Sequence, residues 1–155
     1  MTPDDDDRPG RLLAIDYGHR RMGLAMSDPT RTFAVGLETL AVTGKTDVLA
    51  TLAALCQQYR VERVYVGLPR RLDGREGDSA QRVRAFVTQL QDILPAPVAL
   101  LDERLTSVIA GQHLQAQGLS PSRHKALVDQ AAACLMLQEV LDRENRPPAA
   151  EATSP

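Results

Sequence analysis

Asp16, Glu103 and Asp129 are the residues of this chain whose types and placement best suit catalysis. Asp16 closes the short apolar run RLLAID, Glu103 follows the apolar run 97–101, and Asp129 precedes the small residues Ala131, Ala132 and Ala133. Carboxylates brought to one point repel one another unless they are protonated or share a cation. Oxygen-only ligands select hard ions, which here means Mg²⁺ or Mn²⁺. Two such ions about 3.5–4 Å apart can activate water and stabilise the leaving oxygen of a phosphodiester. Acids at strand ends and helix starts are also ordinary surface features, so the spacing by itself fits three unrelated acids equally well.

For the three to meet, the surrounding elements must form an α/β layer. Residues 11–16 read as a central strand buried on both faces, because the run is continuously apolar. Gly18 permits a tight turn into a second strand over 22–27, and a third follows over 33–40 after the turn residues Asp28 and Pro29. Helical spacing of Val48, Leu49, Leu52, Leu55, Cys56 and Tyr59 predicts a helix over 47–59, capped by Thr46 or Asp47. A strand over 63–68 leads to a polar loop over 69–77. Asp78 then reads as the N-cap of a helix with Gln81 as its capping-box partner, and Val83, Phe86, Val87 and Leu90 form its buried stripe. The strand over 97–101 delivers Asp102 and Glu103. A helix over about 106–117 stops at Gly118, residues 119–123 form a loop, and the last helix spans about 124–142. Three antiparallel strands extended by helical crossovers make a five-stranded mixed sheet, with two parallel additions and flanking helices.

Composition narrows the class. The chain has 155 residues, 43% hydrophobic and 25% charged, which suits one ordinary globular domain. Residues 11–145 are expected to form that domain, between a disordered acidic leader over 1–10 and a disordered Pro-rich tail over 146–155. The formal charge of −2 argues against a nucleic-acid partner only superficially, because residues 11–145 carry 16 basic and 15 acidic side chains, net +1. No apolar run reaches membrane-spanning length, and the start MTPDDDDRPG is unlike a signal peptide, so the expected location is cytoplasmic. Cys56 and Cys134 fall in apolar helical patterns and read as small buried hydrophobes; no CxxC pair supports structural zinc.

Four motifs occur in order across about residues 11–142. LAIDYGHRRMGLAMSD resembles the opening signature of the YqgF/RuvX family, through Asp16, Gly18, Arg21, Gly23, Leu24, Ala25, Ser27 and Asp28. YVGLPRRLDG is similar to the second family motif through Gly67, Leu68, Pro69, Asp73 and Gly74. LLDERLTS resembles the third at Asp102 to Ser107, and KALVDQAAACLML the last, through Lys125, Asp129 and Ala131. Tyr17 and Ser107 replace residues that are usually Phe and Thr there. The resemblance implies an RNase H-like fold and a metal-dependent nuclease whose acidic triad maps onto Asp16, Glu103 and Asp129. It implies processing of the 5′ end of pre-16S rRNA as the leading role, with four-way DNA junction resolution as the alternative. A catalytically silent RNA-binding, ribosome-assembly module is a third reading, from a different class. The partner is then RNA or branched DNA, and the protein a monomer or homodimer.

Around the acids, Arg21 suits either a phosphate contact or a structural ion pair. Lys125 and Asp129 are spaced i, i+4 and share a helix face, which fits phosphate binding or a plain surface pair. Arg70, Arg71 and Arg75, with Arg82 and Arg84 in the next helix and Arg123 beside His124 on a loop, are candidate backbone-binding residues or simply solvated cations. Arg104 suits a supporting role, and His19 reads as an exposed turn residue. No Gly-x-Ser-x-Gly elbow is present. Gly44-Lys45-Thr46 imitates the end of a phosphate loop, but Thr39 stands where its first glycine belongs. Actin-like ATPases and sugar kinases also begin with a strand ending in Asp-x-Gly, but they need two such domains.

Overall fold

A computed structural model describes residues 10–18, 20–42, 47–68, 77–102 and 121–145, with Asp102 and residues 121–129 described by backbone alone. Among these residues the order is β1 (Arg11–Tyr17), β2 (Arg21–Ser27), β3 (Ala34–Ala41), α1 (Val48–Gln58), β4 (Val61–Leu68), α2 (Asp78–Ile93), β5 (Val98–Asp102) and α3 (Pro121–Asn145). The five strands form one sheet in the order β3-β2-β1-β4-β5. β2 pairs antiparallel with both β1 and β3, whereas β4 pairs parallel with β1 and β5 pairs parallel with β4. The expected mixed sheet is therefore observed.

Strand β1 sits at the centre, and its apolar run is buried on both faces. Leu13 and Ile15 join Met22, Leu24, Leu52, Val64, Val66, Val83, Phe86 and Leu90 in the core beneath α1 and α2. Leu12 and Ala14 face the other way, against Ala25, Tyr65, Ala133, Leu137 and Leu141. That second layer is α3, which lies across β1, β2 and β3. Alanines on both sides of the contact (Ala14, Ala25, Ala132 and Ala133, none with measurable exposure) let helix and sheet approach closely.

Most boundaries fall where periodicity put them, and the differences have local causes. Helix α1 is capped as expected by Asp47, whose carboxylate accepts from the Ala50 N–H at 3.1 Å. Helix α2 is not capped by Asp78. Gly77 holds the cap position without a side-chain bond, and the Ala80 and Gln81 N–H groups turn to the Gly77 carbonyl instead. Asp78 becomes the first helical residue, where its charge still complements the positive end of the helix. The expected 119–123 loop is also corrected, because α3 begins at Pro121. Proline suits a first helical turn, where its missing N–H costs nothing. Arg123 and His124 thus belong to a helix and not to a loop, and Asp129 lies about two turns in. The expected helix over 106–117 and both termini lie outside the described residues.

Candidate functional site

Alternation along β1 sends Leu12, Ala14 and Asp16 to the α3 side of the sheet. Asp16 is only 6% exposed, and it is one of two buried polar residues among those described. A carboxylate so placed at the end of a central strand is expensive unless it is paired. Gly23 lies directly across from it on β2 and adds no side chain to that face. The β2–β3 register shifts between Met22 and Leu24, where Gly23 alone faces the two residues Glu38 and Thr39 of β3, so β3 bulges opposite this glycine. Bulges of this kind bend a strand and re-aim its side chains, and they recur beside functional sites.

The turn between β1 and β2 explains the other glycine of the signature. A Cβ at Gly18 would lie 2.3 Å from the Arg21 carbonyl oxygen, inside any tolerable contact. The turn closes this tightly only with glycine. Arg21 then starts β2 on the same face as Gly23 and Ala25, one diagonal step from Asp16, with its Nε buried. A cleft of about 30 Å³ opens on the far side of the turn, lined by Tyr17, Gly18, Ser79 and Arg82.

Parallel register carries the level of Asp16 across the sheet. Ile15 pairs with Val66 and Val66 with Leu100; β5 ends at Asp102, opposite Leu68. The chain leaves β5 there toward Glu103, which lies outside the described residues, as do Arg70, Arg71, Arg75, Arg104 and His19. On α3, Ala133, Met136 and Leu137 face the sheet, and helical periodicity puts position 129 on the same stripe. The neighbouring Gln130 donates from Nε2 to the Leu37 carbonyl at 2.6 Å. Leu37 pairs with Leu24, and Leu24 with Ile15, so this part of α3 crosses the sheet level with Asp16. Arg123 and Lys125 belong to the preceding turns of the same helix.

Not every residue of the opening signature belongs to this site. The buried Ser27 hydroxyl accepts from the Leu12 N–H at 2.8 Å, stitching β2 to β1. Asp28 accepts from the Thr32 and Phe33 N–H groups at 2.7 and 2.8 Å, and from the Thr30 hydroxyl. Hydrogen bonds from Phe33 and Thr30 hold its carboxyl down at about 2. At the opposite end of the sheet, Ser27 thus ties β2 to β1 and Asp28 organises the β2–β3 connection. The cysteines are no nucleophiles either: burial pushes the Cys56 thiol up to about 11 and raises Cys134 as well.

Among the described residues no three His, Cys, Asp or Glu side chains gather into a possible metal centre. Asp16 supplies one buried oxygen donor. Such a donor suits a hard divalent cation. Sequence reasoning overlooked Gln130 and Gly36, which anchor α3; nothing in their residue types distinguishes them until the helix and the edge strand are seen together.

The profile of the RuvX family, described as a Holliday junction resolvase, matches residues 10–143. A protein of Streptomyces coelicolor named "Putative pre-16S rRNA nuclease" is 40% identical over 157 residues, covering 95% of this chain and 94% of its own. One of the same name from Moorella thermoacetica is 42% identical over 133 residues, covering 86% and 95%. Among solved structures, Thermus thermophilus RuvC in complex with a Holliday junction substrate superposes with a TM-score of 0.53 at 16% identity, covering 88% of this chain and 96% of that one. At that identity the likeness concerns the fold, which is RNase H-like.

Proposed function

Since the chain belongs to the RuvX family, we propose that it is a nuclease that hydrolyses nucleic-acid phosphodiesters with Asp16, Glu103 and Asp129 as the ligands of Mg²⁺ or Mn²⁺. The observation that carries this reading is Asp16: a buried carboxylate ending the central strand, faced by a glycine, within the stretch the family profile matches. When bound, the cations supply Lewis-acid activation of water and stabilisation of the leaving oxygen. The protein's own part is to hold and orient. Burial keeps the Asp16 carboxylate from wandering and strengthens its interaction with any cation beside it. Gly23 leaves the space beside that carboxylate without a side chain. Arg21 is suited to grip a non-bridging phosphate oxygen, and Lys125, one turn before Asp129, to do the same from the helix. Water adds to phosphorus, the bond to the 3′ oxygen breaks, and the departing oxygen takes up a proton, leaving 5′-phosphate and 3′-hydroxyl ends.

The leading substrate is the 5′ end of pre-16S rRNA, supported by the names of relatives that align over nearly their whole length. That role places the protein in the cytoplasm; no helix among the described residues is long and apolar enough to cross a membrane. The family description supports a second reading, cleavage of four-way DNA junctions. Junction resolution calls for a two-fold dimer presenting two sites. Arg70, Arg71, Arg75 and Arg123 are the proposed backbone contacts for either substrate. The test is a cleavage panel of precursor rRNA, generic single-stranded RNA and DNA, and four-way junctions, each with Mg²⁺ and with Mn²⁺. Sedimentation at the same concentrations gives the oligomeric state. Selective precursor cleavage by a monomer is the expected result. Junction cleavage by a dimer would move the assignment to the second reading, and inertness on every substrate would leave a binding module.

A further inference from the structure

We propose that Gln130, seated over Gly36, is a positioning residue for Asp129, fixing the N-terminal half of α3 against the sheet and thereby setting the affinity of the cation site; this rests on the reading of Asp129 as a ligand. Among the described side chains, two glutamines fasten helix α3 to the edge strand β3. Near its far end Gln138 accepts from the Ala34 N–H and donates to the Thr32 carbonyl, both at 2.9 Å. Near the site Gln130 donates to the Leu37 carbonyl at 2.6 Å. Eight residues of helix span about 12 Å, and three residues of strand about 10 Å, so the two fastenings match in spacing. Together they stop the helix from sliding or pivoting.

The seat for Gln130 is made by the absence of a side chain. A Cβ on Gly36 would lie 2.8 Å from both Cγ and Cδ of Gln130 and 3.1 Å from its Nε2. Even alanine at position 36 therefore has to displace the glutamine or lift the helix. Asp129 is the residue immediately before Gln130, so any lift or roll is felt first there. A ligand's supporting contacts set its orientation, and their loss typically weakens metal affinity about 10–100-fold. Gln138 makes the same kind of bond, but it is more than two turns away and should not have this effect.

The test compares Gln130→Met, which keeps length and loses the donor, with Gln138→Met, which does the same at the far fastening. Mn²⁺ affinity is measured by calorimetry on the full chain, and thermal unfolding is followed in parallel. Gln130→Met and Gly36→Ala should each weaken Mn²⁺ binding about tenfold or more. Gln138→Met should bind as wild type while melting at a temperature as low as that of Gln130→Met. Gly36→Ala should add almost nothing in a Gln130→Ser background, because the shorter side chain removes the clash. Wild-type affinity in Gln130→Met, or an equal loss in Gln138→Met, would overturn the proposal. Asp129→Asn with undiminished Mn²⁺ affinity would overturn the ligand reading instead, and that outcome is distinguishable because Asp129→Asn leaves the Gln130 fastening in place.

Discussion

Two aspartates of one sequence signature, Asp16 and Asp28, stand at opposite ends of the sheet and are treated in opposite ways. Asp28 sits at a half-exposed turn and has its acceptor capacity taken up by Thr30, Thr32 and Phe33. Around it the connection is tied further: Arg31 bonds the Gly10 carbonyl and pairs with Glu62, and Asn145 and Gln138 reach in from α3. Arg31 is held at a φ of 57°, a conformation that such ties sustain. Asp16 is buried at the end of the central strand, across from Gly23 and next to the tight turn at Gly18. One end uses its acid to organise the backbone. The other buries its acid on the face that α3 crosses, where the proposed function places the cations. The same residue type in the same motif does structural work in one place and, in the proposed function, holds a cation in the other.

The sharpest way to break this contrast is to neutralise each acid in turn. Asp16→Asn should lose several kcal/mol of transition-state stabilisation, roughly a thousand-fold in single-turnover cleavage, with its melting temperature kept. Cleavage at the wild-type rate would put Asp16 on the structural side with Asp28. Between the two ends, Leu137→Ala strikes the fully buried contact of α3 with the sheet and should cost about 2–5 kcal/mol in urea unfolding. Asp28→Ala should cost about 1 kcal/mol by the same measurement, while cleavage per folded molecule stays unchanged; a large loss of rate at constant stability would erase the distinction.

The smallest effect is in the acid limb. The Asp28 carboxyl titrates at about 2 in the folded protein against an ordinary 3.8. The unfolded chain therefore binds this proton more readily. The stabilisation from Asp28 is complete above pH 3.8 and disappears as pH falls through about 2. Urea midpoints of wild type and Asp28→Asn should differ at pH 5 and converge over that interval. A constant gap would mean that the turn does not depend on the charge.

How much of this could be read from residues alone follows from the range of the forces involved. Strand β1 was legible because continuous apolar runs have few other uses, and α1 because Asp47 and a 3.6-residue stripe agree. The start of α3 was misplaced because a proline in a polar stretch suits a loop as well as a first turn. Asp78 was misjudged for a related reason, since an acid at the cap and an acid one residue later are both favourable. Asp16 was legible as a strand-end acid, but its burial and its pairing with a glycine depend on cross-strand register. Gln130 and Gly36, 94 positions apart, have no local signature at all. Their relation exists only in the packed state. Ser27 and Asp28 carried the family resemblance without belonging to the site, so a motif marked their position and not their role.

Strand β3 lies at the edge of the sheet and carries exposed apolar side chains, with Phe33 just before it 64% and Val35 51% accessible. Its guards are the glutamines of α3, and the one that meets the Ala34 N–H comes 104 residues later in the chain. During synthesis from the N-terminus at about 5–20 residues per second, the first strands leave the ribosome some 5–20 s before that cover exists. A nascent chain in that interval exposes an apolar border with unsatisfied backbone groups, the usual template for wrong pairing between chains. The helix that carries Asp129 is thus also the last of the described elements to be made. Truncation before it should yield aggregates, not a smaller folded enzyme.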